Sequence, residues 1–437
     1  MSDLKQKGGK KIAFVHPDLG IGGAERLVVD AAVGLQELGN EVRVYTSHCD
    51  KTHCFEEVSS GILQVTVYGD FFPTQFLKKF HIFFAILRQF YLTLKLIFTG
   101  EINQYDYFIV DQLSFAVPLL SLFSNENCKI LFYCHFPDQL LARKGGLIKS
   151  LYRVPFDLIE EWTTGGIFHK TFGRLNDIEP GVIYPCVDVG AASTLTEADH
   201  SSEVELKEFL KGSKFFLSIN RFERTKNIAL ALKAFAKFKS QLPANEKPKL
   251  IIAGGFDSRV IENVEHLKEL EDLANTLNLK HFTIRGKLIV MPPSTEVLFL
   301  PSIRTSIKNS LIRNAELLLY TPGFEHFGIV PVESMLYETP VLAVNHGGPL
   351  ESVVNFDGTN IEDATGYNKT PKEELWAETM FEFYTRLNDA TKAKLGSNGL
   401  ERVKKIFLRE QMSEAFYNNL IDGNINENKG FIYKPLF

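Results

Sequence analysis

Two carboxylates, Glu325 and Glu333, with seven residues between them, flank a glycine in the stretch Thr321-Pro-Gly-Phe-Glu-His-Phe-Gly-Ile-Val-Pro-Val-Glu-Ser334. The apolar run Leu317 to Tyr320 before it predicts a buried strand, and the pattern after it a short helix ending near Glu338. Pro331 suits the first helical position, where a missing N–H costs nothing. That leaves the amides of Gly328, Ile329 and Val330 at a helix N-terminus, where unpaired donors and the positive end of the dipole attract a phosphate. Glu325 falls before this turn and Glu333 in its first helical turn. A plainer reading makes both acids surface charges and Phe327 and the glycines ordinary loop residues.

Arg221 and Lys226 flank a second strand-to-helix turn. A guanidinium that forks onto oxygen and a mobile ammonium, five residues apart, can converge on a diphosphate. With the three amides they would neutralise a leaving diphosphate without a metal, each group supplying up to about 3 kcal/mol in a closed site. No Asp-x-Asp metal pair is present. An acid such as Glu333 beside a nucleotide fold accepts hydrogen bonds from ribose hydroxyls. Gly347-Gly348 ends another strand and would let the backbone contact the transferred group.

The elements that must hold these groups alternate. Lys11 to Pro17 reads as a strand, Ala24 to Leu38 as a helix and Glu41 to Ser47 as a strand, the opening of a parallel sheet. Gly20-Ile-Gly22-Gly23-Ala24-Glu25 matches only half of a dinucleotide fingerprint, because Glu25 occupies the third glycine position. A dehydrogenase is therefore poorly supported, while Gly22 and Gly23 still allow a ligand close to the backbone. Strands at Leu63 to Tyr68, Tyr105 to Asp111 and Lys129 to Cys134 follow. The last opens onto His135, and strand ends are where open α/β sheets bind ligands. A polar linker over residues 192–205 precedes a second run of strands and helices from Phe215. The expected architecture is α/β, two doubly wound Rossmann-like domains facing a cleft. Residues 1–205 form the first, 206–410 the second, and 411–437 a helix and tail returning to the first.

Composition fits a globular chain: 437 residues, 45% hydrophobic, with a net charge of −5 that gives no reason to expect nucleic acid. Five cysteines without a CxxC pair suggest a reduced, cytosol-facing protein, and residues 1–11 lack the apolar core of a signal peptide. His48-Cys49 and His53-Cys54 lack a second ligand pair, so they read as loop rather than zinc site.

Phe71 to Gly100 stands apart, with Lys78, Lys79, Arg88 and Lys95, no acid, and dense Phe, Ile and Leu. His81, Arg88 and Lys95 are seven apart and would line one stripe of a helix. That suits a helix lying in a membrane interface better than one crossing it, which would bury Arg88. A helix packed on the sheet is the alternative. Arg143 and Lys144 begin a further basic patch suited to an anionic headgroup.

Together, Glu325 and Glu333, Arg221 and Lys226, Gly22-Gly23-Ala24-Glu25 and Gly347-Gly348-Pro349 resemble the retaining GT-B glycosyltransferases of family 4, across both domains. The runs His16-Pro-Asp-Leu-Gly20, Phe132-Tyr-Cys-His-Phe-Pro-Asp138, Glu160-Glu-Trp-Thr-Thr164, Glu325-His-Phe-Gly-Ile-Val-Pro331 and Gly347-Gly-Pro-Leu-Glu-Ser352 are similar to the α-1,3/1,6-mannosyltransferases of lipid-linked oligosaccharide assembly. The resemblance implies GDP-mannose as donor, a dolichyl-diphosphate-linked mannosyl-chitobiose as acceptor, and the cytosolic face of the endoplasmic reticulum membrane as location. It implies association with other mannosyltransferases of the pathway, no metal, and retention by front-face attack as the diphosphate leaves. It assigns Arg221 and Lys226 to the diphosphate, Glu333 to the ribose, Glu325 to the mannose and His135 to the reacting centre. No glycosidase-type nucleophile and acid pair is evident, in agreement.

One departure is expected to matter. Between Thr164 and Phe172 the family pattern calls for a strand, an Asn-Ser turn and a helix start, and Gly165-Gly166-Ile-Phe-His-Lys-Thr is shorter by about a dozen residues. Two alternatives follow: another family 4 transferase with a different donor or lipid, or a nucleotide-sugar-binding protein impaired in catalysis.

Overall fold

The computed structural model describes residues 9–74, 80–135, 182–187, 197–288, 290–323, 325 and 327–420. The chain divides into two compact units, Met1–Cys186 with Arg409–Phe437, and Val187–Leu408.

In the first unit, β1 (Lys11–His16), α1 (Gly23–Glu37), β2 (Glu41–Thr46), α2 (Glu56–Ser59), β3 (Gln64–Val67), α3 (His81–Phe98), β4 (Tyr107–Asp111), α4 (Ala116–Phe123) and β5 (Lys129–Tyr133) are joined by α13 (Arg409–Leu420) from the chain's end. The strands form a parallel sheet in the order β3-β2-β1-β4-β5. Its winding reverses between β1 and β4, so the carboxyl ends of those strands, His16 and Asp111, border the crevice where such sheets bind ligands. On one face α1 packs with Met412, Phe416 and Leu420 of α13, and on the other Leu92 and Leu96 of α3 pack with α4.

The second unit contains α5 (Glu197–Leu210), β6 (Phe215–Ile219), α6 (Ala229–Lys239), β7 (Lys249–Gly254), α7 (Ile261–Thr276), β8 (His281–Thr283), β9 (Val297–Pro301), α8 (Thr305–Asn314), β10 (Leu317–Tyr320), α9 (Ile329–Leu336), β11 (Val341–Val344), α10 (Pro349–Ser352), β12 (Gly366–Lys369), α11 (Glu373–Phe381) and α12 (Asp389–Ile406). Its seven parallel strands run β12-β11-β10-β6-β7-β9-β8, and here the reversal lies between β10 and β6. The loops leaving those two strands carry Glu325 and Lys226.

Several expectations change. The boundary read at residue 205 falls inside α5, whose residues group with the second unit. The helix expected from Phe71 begins at His81, because Phe80 takes a left-handed conformation (φ 64°) that an α-helix does not continue through. Within α3 the expected stripe does not face solvent as a whole: His81 is exposed, but Arg88 is buried with Gln89 and Thr93, while Phe83, Phe90 and Phe98 are exposed. Arg88 donates to the carbonyl of Ser47 at 3.2 Å and lies 3.8 Å from Asp70, so it ties α3 to the loop after β2 rather than facing a headgroup. Lys95 is half-buried. The helix is long and apolar enough, by length and composition, to cross a membrane. Lys78, Lys79, Arg143, Lys144 and Gly165-Gly166 lie outside the described residues.

Candidate active site

In the second unit Lys226 Nζ meets Glu325 Oε2 at 2.6 Å, both side chains mostly buried. The meeting is built by the backbone. Thr321, the first residue after β10, is fully buried and donates its hydroxyl to the carbonyl of Lys226 at 2.8 Å, pinning the two switch-point loops together. The Gly347-Gly348 turn packs on the far side: Gly348 donates its amide to the carbonyl of Glu325 at 3.1 Å. A Cβ on Gly348 would lie 2.2 Å from the Phe327 carbonyl oxygen, so only glycine fits. The turn expected to touch the transferred group thus serves first to seat Glu325 and Phe327.

Gly328 caps α9 with φ 78°, a left-handed conformation, and a Cβ there would come within 3.0 Å of the Tyr320 ring. The helix starts at Ile329, so Pro331 is its third residue, not its first, and still forfeits no helical bond. Glu333 lies beyond the first turn for the same reason. The amides of Gly328, Ile329 and Val330 are the helix's leading donors, as expected. Burial pushes the Tyr320 hydroxyl well above the ordinary phenol range, and the charges of Glu325 and Glu333 add to it. Glu333 pairs with Lys308 of α8 at 2.8 Å. Arg221 is exposed and pairs with Glu223 at 3.2 Å. The chain beyond β6 is held by Asn220 and Phe222, whose amides donate to Ala253 and Gly255.

In the first unit His135 Nε2 lies 2.7 Å from Asp111 Oδ1, a close approach that falls short of an aligned hydrogen bond. The other carboxylate oxygen of Asp111 receives His16 Nδ1 at 2.6 Å, and His16 Nε2 meets the Asp18 carbonyl at 3.0 Å. Burial works against charge on both His16 and Asp111. The hydrogen bond and charge of Asp111 nonetheless raise the His16 pKa, and the two facing imidazoles, His135 and His16, hold Asp111 below its ordinary value. Gly22 is the extended N-cap of α1, with the Glu25 carboxylate folded over it, and the space where a Gly23 Cβ would stand is open.

Comparison with known proteins places this geometry. A model described as Glycosyltransferase Family 4 matches residues 21–169, and one described as Glycosyl transferases group 1 matches residues 202–383. The α-1,3/1,6-mannosyltransferase ALG2 of Debaryomyces hansenii is 67% identical over 99% of this chain and 95% of its own length. That of Saccharomyces cerevisiae is 48% identical over 95% and 85%. The chain belongs to the ALG2 family of α-1,3/1,6-mannosyltransferases. It is a GT-B glycosyltransferase, and its likeness to a sucrose-phosphate synthase from Thermosynechococcus elongatus (TM-score 0.68, 18% identity, 95% of this chain and 100% of the other) is one of fold alone. The lipopolysaccharide glycosyltransferase WaaG shares that fold at a TM-score of 0.60 and 16% identity, over 94% of this chain and 100% of its own. The alignment with the Debaryomyces ALG2 spans 453 positions, more than the 437 of this chain, so that relative carries residues without a counterpart here. ALG2 identity favours neither alternative drawn from the sequence.

Three residues that pair with these candidate groups were not singled out as site residues by the sequence reading. Asp111 closes the wholly buried strand Tyr107–Asp111, the same positional signal that singled out His135, and could have been found by it. His16 ends β1 in the same way. Lys308 had no local signal, since only the tertiary fold brings it to Glu333.

Proposed function

We propose that this chain transfers mannose from GDP-mannose to a dolichyl-diphosphate-linked mannosyl-chitobiose, forming α-1,3 and α-1,6 linkages with retention of configuration. The observation that carries the reading is the convergence of Lys226 and Glu325 at one switch point, on loops from β6 and β10, close to the leading amides of α9. On this reading Lys226, Arg221 and the amides of Gly328, Ile329 and Val330 bind the diphosphate. Glu333 takes the ribose, and Glu325 a mannose hydroxyl. Phe327, Gly22 and Gly23 border the donor, and His135 borders the reacting carbon. The bond from the anomeric carbon to the diphosphate breaks while the bond to the acceptor oxygen forms on the same face, the acceptor's proton passing to the departing phosphate oxygen. Fixed cations and amides stabilise the growing charge, each worth about 3 kcal/mol, without a metal.

The exposed Phe83, Phe90 and Phe98 support a surface-bound location, in which α3 rests in the interface of the endoplasmic reticulum membrane on its cytosolic face. Other mannosyltransferases of the pathway are its expected neighbours there. Incubation of the full chain with GDP-mannose and a defined lipid-linked acceptor, with linkage analysis of the product, tests the reaction. Mannosylated product is expected with EDTA present, and GDP is expected to protect against thermal unfolding. Protection by UDP instead, with no mannosyl product, overturns the donor assignment.

A further inference from the structure

Three ionisable side chains meet at the carboxyl ends of β1, β4 and β5. His16 and Asp111 are fully buried, whereas His135 keeps about a fifth of its side chain exposed and is the group through which the cluster reaches the surface of its unit. Both ring nitrogens of His16 face acceptors, the Asp111 carboxylate at 2.6 Å and the Asp18 carbonyl at 3.0 Å. A carbonyl oxygen offers only lone pairs, and so does an ionised carboxylate. Both contacts are satisfied only if each nitrogen carries a proton, which makes His16 an imidazolium. The alternative, a protonated Asp111 donating to neutral His16, would leave the proton on the more acidic partner. The charge of Asp111 is therefore already balanced inside the sheet before His135 is considered.

His135 directs Nε2 at Asp111, leaving Nδ1 as its other polar atom. Its ring is held edge to face by Tyr133, with centroids 5.0 Å apart, and Tyr133 is anchored by its own hydroxyl, which donates to the Ile183 carbonyl at 2.9 Å. We propose that Asp111 is the positioning residue of His135 and that buried His16 is the fixed counter-ion of Asp111, so that His135 presents Nδ1 to the substrate. The inference rests on the reading that His135 borders the reacting carbon. If Asp111 lacked His16, its whole charge would act on His135 and hold that ring protonated further into the alkaline range. The other titratable groups around the cluster are Glu25 at the start of α1, Asp18 in the loop after β1, and Tyr133 and Cys134 at the end of β5.

The test uses the full chain, GDP-mannose and a lipid-linked acceptor, with kcat and KM measured across pH. His135→Ala comes first: its inactivity is expected, and full turnover would sink the reading of His135 itself. With His135 shown to be needed, Asp111→Asn is expected to lower kcat by about tenfold or more with a smaller effect on KM. His16→Asn retains a hydrogen-bond donor but not the charge. It is expected to move the limb of the kcat profile that depends on His135 upward by about one pH unit. Wild-type kcat in Asp111→Asn, or an unmoved profile in His16→Asn, overturns the positioning role. Should either variant fail to fold, nitrogen-15 histidine NMR of the unmutated protein decides. One ring whose imidazolium pattern persists after the other histidines have lost their protons is expected, and loss of the proton from every ring over one common pH range overturns the proposal.

Discussion

Lys226 and Glu325, 99 residues apart in sequence, form a 2.6 Å ion pair across the switch point of one sheet. Such a pair, with each side chain partly reached by solvent, contributes about 1 kcal/mol to stability at most. Its value lies in holding a cation and a carboxylate on one spot. Lys226→Met and Glu325→Gln are each expected to lower turnover by about 100-fold while the unfolding temperature moves little. Groups that act as one unit are not additive, so the double variant should be no worse than the poorer single one. Steady-state kinetics beside thermal unfolding checks this, and near wild-type turnover in either single variant would refute the site.

Gly348 supports that pair from behind. Alanine at this position would put a methyl group 2.2 Å from a backbone oxygen of Phe327, a clash that no side-chain rotation relieves. Gly348→Ala is therefore expected to displace the Glu325–Phe327 backbone and cost at least about tenfold in kcat, with a loss of about 1–3 kcal/mol in stability. Gly23→Ala meets open space and should leave the unfolding midpoint unchanged. If the donor approaches the backbone there, KM for GDP-mannose rises in this variant. An unchanged KM would remove Gly23 from the donor site.

Burial of Arg88 within α3 separates two effects that the sequence reading joined. Arg88→Glu buries a carboxylate where a guanidinium served Ser47, and is expected to destabilise the protein by about 3 kcal/mol or more. Phe83→Ser with Phe90→Ser alters exposed positions, leaves stability nearly unchanged, and should reduce co-sedimentation with phospholipid vesicles. Undiminished vesicle binding by that double variant would end the interfacial reading of α3.

The contrast shows where sequence is informative. Apolar runs ending in glycine turns reveal the strands, and from them the loops bearing Arg221, Lys226, Glu325 and Gly328, because strand ends in a parallel sheet are positions of known chemistry. Heptad spacing in α3 relates His81, Arg88 and Lys95 but does not say that Arg88 is buried while His81 is exposed. That depends on the Ser47 carbonyl, 41 residues away, and the Asp70 carboxylate, which give the buried guanidinium a hydrogen bond and a counter-charge. The strand Gly366–Lys369 went unread because its four residues, Gly-Tyr-Asn-Lys, carry no alternation, and its pairing with Val341–Val344 supplies what propensity does not. Lys308 and Glu333 meet only in the tertiary fold, where α8 leads into β10 and α9 leaves it.

The buried His16–Asp111 pair carries a signed dependence on pH. His16 has a raised pKa in the folded protein, so its contribution to stability is complete below its unfolded value near 6.5 and is lost as pH rises through the folded value. Asp111 has a lowered pKa, so its contribution is present above its unfolded value near 3.8 and is lost as pH falls through the folded value. Stability from this source is therefore flat only between the two unfolded values, near 3.8 and 6.5, and declines as pH rises from there through the folded value of His16. His16→Asn should lower that plateau by about 3 kcal/mol, since it leaves a buried carboxylate with a hydrogen bond but without its counter-ion. It should also remove the alkaline decline, because the group that releases a proton there is gone. Denaturant midpoints collected from about pH 5 to 9 on both proteins distinguish the cases. If the variant keeps the same alkaline decline as the parent, the loss arises from another group and His16 is not the buried cation.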